Sequence, residues 1–112
     1  MINNKIISII ENYFDSDIKE NILRTYTFLE EIGFAPKSEN LIKFMDGESI
    51  CFNFICNKNG QATIDFYIDG EIILASSIRK DPFLYVIPKI WEFKKFDEFE
   101  IFNVIKKITM MI

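Results

Sequence analysis

The chain has 112 residues, 49% of them hydrophobic and 15% aromatic, with a net charge of −4 and no histidine. That length suits a single domain over residues 1–112, and twelve Phe give it enough apolar surface to offset the entropy of ordering, which excludes a disordered chain. The acidic balance argues against direct nucleic-acid binding, and no run approaches the roughly 18 apolar residues a bilayer-spanning helix needs.

In chain order, residues 2 to 14 set Ile6, Ile7, Ile10, Tyr13 and Phe14 on one stripe, with Lys5, Ser8, Glu11 and Asn12 opposite, which predicts an amphipathic helix. Its short apolar start is not a signal peptide, because Glu11, Asn12, Asp15 and Asp17 end the run with no small-residue cleavage site after it. Asp17 stands three residues before Glu20, the spacing of a capping box. Ile18, Ile22, Tyr26, Leu29 and Ile32 then carry a second predicted helix from 18 to 32. Gly33 occupies the position of a left-handed residue past a helix end, Phe34 can fold back on Leu29, and Pro36 forbids continuation.

The stretch from Leu41 to Ile78 reads as an antiparallel meander. Its runs are broken by Asp46-Gly47, Asn57-Lys58-Asn59-Gly60 and Asp69-Gly70, residues that tolerate positive φ. Strands are expected over 41–45, 49–56, 62–68 and 71–78. Ile50, Phe52, Phe54 and Cys56 are expected to face inward, with Ser49, Cys51, Asn53 and Ile55 on the other face. Ala62, Ile64, Phe66 and Ile68 likewise point in, while Thr63, Asp65 and Tyr67 point out. The fourth strand is apolar on both faces, which suits a central or covered strand. Pro82 and Pro88 bracket a short edge strand over 83–87, with Ile90 to Phe93 as its continuation past a bend. Asp97 and Glu100 form another capping box before a helix from 98 to about 110, striped by Phe99, Phe102, Ile105, Ile108 and Ile112. The expected class is α+β: two N-terminal helices, an antiparallel meander of four to five strands, and a C-terminal helix packed on the sheet.

Cys51 and Cys56, five apart on one strand, are too distant to bond each other and read as reduced thiols of a cytoplasmic protein. Two thiols without histidine make a metal site improbable, and nothing else in the chain calls for a cofactor. Nor is there a histidine to activate a serine or cysteine, so the expectation is a protein that is not an enzyme. Trp91 and Phe93 beside Lys94 and Lys95 have the ingredients of a nucleic-acid stacking platform, but Asp97, Glu98 and Glu100 spoil its field.

Charge is unevenly spread: residues 1 to 48 hold five Lys/Arg against nine Asp/Glu, and residues 76 to 112 hold seven against five. In a meander successive turns alternate between the sheet's ends, so the turns at 46–47 and 69–70 should emerge together and gather Asp46, Glu48, Asp69 and Glu71 into a negative rim. Lys58 falls at the opposite end, and Asp65 and Tyr67 lie on the outward face of the strand leading to the rim. Asp-Gly turns are good hairpin chemistry in their own right, so the rim has a purely structural explanation beside a functional one, a surface that docks on a basic site. A second acidic group, Glu11, Asp15, Asp17 and Glu20, is explained by helix capping and the helix dipole.

In size, charge and helix-helix-meander-helix layout the chain resembles the immunity proteins of bacterial polymorphic-toxin and contact-dependent inhibition systems. The resemblance implies a protein that binds a cognate toxin, often a basic nuclease, and occludes its active site or substrate groove. Asp46, Glu48, Asp65, Tyr67, Asp69 and Glu71 would then occupy the toxin's basic cleft in place of phosphate, with Tyr67 or Tyr85 as the desolvated anchor. The alternative from the residues is a small homodimeric structural or ligand-binding module that buries Ile73 and Ala75, with Ile55 and Cys51 as neighbours.

Overall fold

A computed structural model describes residues 4–33, 49–57, 60–81, 84–85 and 89–111. The expected strand over 41–45 and the Asp46-Gly47 turn lie outside these residues, as do Phe34 and Pro36. The elements are α1 (Asn4–Tyr13), α2 (Ser16–Glu31), β1 (Ser49–Asn57), β2 (Gly60–Tyr67), β3 (Ile72–Asp81), β4 (Leu84–Tyr85), β5 (Lys89–Phe93) and α3 (Glu98–Met111). The fold is α+β, with two N-terminal helices, an antiparallel sheet and a C-terminal helix.

β1, β2 and β3 form the antiparallel meander. β4 and β5 both pair with β3: Tyr85 stands opposite Arg79, and Ile90 opposite Ala75. With β2 on one side and β4 and β5 on the other, β3 is central, as its two apolar faces predict. Alternate residues of the sheet are buried, among them Ile50, Phe52, Ala62, Ile64, Phe66, Ile72 and Leu74. They form one core with Ile10 and Phe14 at the end of α1, Ile22, Tyr26 and Leu29 of α2, and Ile101, Ile105 and Ile108 of α3. All three helices therefore cover the same face of the sheet. Tyr26 meets Phe52 edge-on, with centroids 6.0 Å apart at 64°.

Three residues expected on apolar stripes are exposed, and the register of β1 shifts. A bulge between Asn53 and Ile55 inserts Phe54 as an unpaired residue, so Ile55 stands opposite buried Ala62 and Cys56 opposite exposed Gln61. Five residues of strand at about 3.3 Å each separate Cys51 from Cys56, beyond disulfide reach. Ile68 belongs to the β2–β3 turn and is 44% exposed. Tyr13 and Phe99 are 54% and 78% exposed. Along α3 the spacing 101, 105, 108 is the one the core accepts, and Phe99 lies off that stripe.

The second helix begins two residues earlier than its spacing suggests, at Ser16 rather than Ile18. Asp15, in extended backbone, is the N-cap, and its Oδ1 accepts the Ile18 N–H at 3.0 Å, while Asp17 lies inside the first turn. Asp97 caps α3 as expected, accepting the Glu100 N–H at 3.0 Å. Gly33 takes φ +96° directly after the C-cap Ile32.

Candidate functional site

Between β2 and β3, Ile68, Asp69 and Gly70 form a loop closed by Tyr67 and Glu71. The Tyr67 N–H donates to the Glu71 carbonyl at 2.9 Å, and the Gly70 N–H donates to the Tyr67 carbonyl at 3.0 Å. Gly70 adopts φ +95°, the left-handed residue that a three-residue hairpin loop requires. Asp69 turns back on the loop, its Oδ1 accepting the Glu71 N–H at 2.9 Å. The tip is therefore held by its own hydrogen bonds, with Ile68 and Asp69 exposed on it.

Tyr67 closes the hairpin from the outward face, half-buried. Its phenol is pushed above the ordinary 10.0, first by partial burial, then by the charges of Asp65 and Glu71, with smaller contributions from Cys51 and Asp69. Four of the six expected site residues, Asp65, Tyr67, Asp69 and Glu71, thus share one local field. Asp46 and Glu48 lie outside the described residues. Ser49 pairs with Tyr67, so β1 begins at the end of the sheet where this hairpin turns. Tyr85 is placed in β4, opposite Arg79 and away from the hairpin tip.

The β3–β5 pairing enlarges the surface in a way the sequence did not reveal. Cys51, Asp65, Ile73 and Glu92 form one cross-strand row, and Asn53, Thr63, Ala75 and Ile90 the next. Glu92 thus joins Asp65 on the outward face, with Ile90 59% exposed beside it. β5 runs toward the hairpin end, and Lys94 and Lys95, both exposed, follow it there. Among the described residues neither lysine is paired with Asp65, Asp69 or Glu71, and the salt bridges are Lys19 with Glu11 and Arg24 with Glu98. Trp91 and Phe93 stand opposite buried Leu74 and Ile72 and pack, partly buried, against the core.

The acidic group at the α1–α2 junction is engaged in structure: Asp15 caps α2 and Glu11 pairs with Lys19. Cys51 is half-buried and is in no disulfide. Among the described residues no helix is long and apolar enough to cross a membrane, and no three His, Cys, Asp or Glu side chains cluster around a metal-sized site. Comparison with protein-family models, curated proteins and solved structures gave no match.

Proposed function

We propose that this chain is an immunity-type protein that binds a cognate bacterial toxin with a basic surface, most naturally a nuclease, and neutralises it by occluding its active site or substrate groove. The observation that carries the reading is the β2–β3 hairpin end, where a half-buried tyrosine is faced by Asp65, Glu71 and Asp69 and no cation among the described residues is paired with them. Carboxylates held on a self-bonded tip steer a cationic cleft onto the hairpin and fix its orientation. Ile68 and Tyr67 supply the apolar contact that charge alone does not, with Glu92 widening the anionic face. The action is stoichiometric binding without chemistry, in the cytoplasm, with no cofactor and no contact to nucleic acid or membrane.

Co-expression with the protein encoded by the neighbouring reading frame tests this. The wild-type chain should relieve that protein's toxicity, and the double variant D69K/E71K, altered only at the hairpin, should lose most of the protection while remaining folded by circular dichroism at the assay temperature. Equal protection by both chains would contradict the reading.

A second reading rests on the exposed Ile90 beside half-buried Ile73 and Ala75, on a sheet face that no described helix covers: a homodimer joined through that face. A concentration-independent monomer mass in solution, unchanged in Ile90→Asp, would dismiss it.

A further inference from the structure

Away from the hairpin, α2 and α3 leave between them an open groove of about 400 Å³, lined by Glu20, Leu23, Arg24, Phe28, Glu31 and Phe102 among others. We infer that this groove docks a cationic segment of a partner protein, one that carries two basic side chains on either side of an apolar anchor. Its charge is complementary to such a segment. Arg24 is already committed to Glu98 across the groove, Nη1 to Oε2 at 3.1 Å, whereas Glu20 and Glu31 have no ion pair among the described residues. Eleven residues of helix separate these two glutamates, about 16 Å at 1.5 Å per residue, so one carboxylate stands toward each end of the groove.

The middle is apolar and shaped. Phe28 and Phe102 stack with centroids 4.0 Å apart and planes within 3°, both only half-buried, and Leu23 continues the wall. Lys106 already holds its Nζ 5.9 Å from the Phe28 centroid, so the chain supplies its own cation there and leaves an apolar contact for the segment at the rings. A segment with cations about 16 Å apart therefore meets Glu20 and Glu31 while its central side chain lies on Leu23 and the rings, an arrangement that joins steering charge to a desolvated contact. The inference does not depend on the hairpin, which lies on a different surface.

The test titrates an amide-labelled sample with a synthetic amphipathic helix of Arg and Leu, using its Glu and Leu counterpart as control, and follows amide shifts. The Arg peptide should move amides along the groove, including Leu23, Thr27 and Phe102. The exposed-site variant E20K/E31K should weaken that binding about tenfold or more, and D69K/E71K should leave it nearly unchanged. The inference is overturned if the Arg peptide moves no groove amide, if it moves only residues 65–71, or if E20K/E31K binds it as tightly. It is equally overturned if the groove amides shift on concentrating the protein alone as its mass doubles, which would seat a second copy there.

Discussion

Tyr67 holds its proton more firmly than an exposed phenol, because ionisation would add negative charge at a half-buried position already facing Asp65, Glu71 and Asp69. Reversing two of those charges in D69K/E71K should bring its titration, followed by ring carbon shifts, back down toward 10.0. An unmoved titration would mean that the carboxylates do not act on the ring. Stability follows the same sign. The unfolded phenol ionises near its ordinary value and the folded one later, so this contribution is complete below pH 10.0 and is lost as pH rises through the folded pKa. Denaturant midpoints of Tyr67→Phe should therefore fall less steeply with alkaline pH than those of the wild type. Deeper in the molecule, Phe52 is 1% exposed and contacts Tyr26 edge-on, so Phe52→Ala should cost about 3–5 kcal/mol in equilibrium unfolding.

Elements are set by chemistry at their ends. Asp15→Ala removes the acceptor of the Ile18 N–H and should cost about 1 kcal/mol, whereas Asp17→Ala, which loses only a favourable charge in the first turn, should cost less than half of that. The reverse order in thermal melts would restore Asp17 as the cap. Both aspartates precede a helical rhythm, so the start of α2 was legible to within two residues while its cap was not. At the hairpin, a Cβ on Gly70 would meet nothing within 4 Å, so Gly70→Ala should cost about 1–2 kcal/mol from the positive φ alone. The Asp69-Gly70 turn and the Asp97 cap could be read from residue types, because each depends on a few neighbours along the chain. The bulge at Phe54 could not, since an extra residue in one strand is settled by how the partner strand and the helices pack, and it sets the backbone of Ile55 opposite Ala62 and that of Cys56 opposite Gln61. Phe99 illustrates the same limit: its spacing to Phe102 fits an apolar stripe, but the core takes the stripe of Ile101, Ile105 and Ile108, and Phe99 falls on the other side of the helix.

At the scale of the whole molecule, three helices on one face of the sheet leave the opposite face to carry polar and charged side chains. Asp65 and Tyr67 were identifiable from strand alternation, and Asp69 and Glu71 from the turn. Glu92 was not, because its place beside them depends on β5 returning along β3, a pairing between segments far apart in sequence. That return also carries Lys94 and Lys95 toward the hairpin end, where neither is paired with Asp65, Asp69 or Glu71 among the described residues. A partner that reads this surface must therefore engage the hairpin itself, not only the overall charge of −4. The most direct measurement is the affinity of the purified neighbouring-frame product for wild type and for D69K/E71K, at low and at physiological ionic strength. The account predicts at least about tenfold weaker binding by the variant and a smaller loss of affinity with salt than the wild type shows. Equal affinities with equal salt dependence would contradict it.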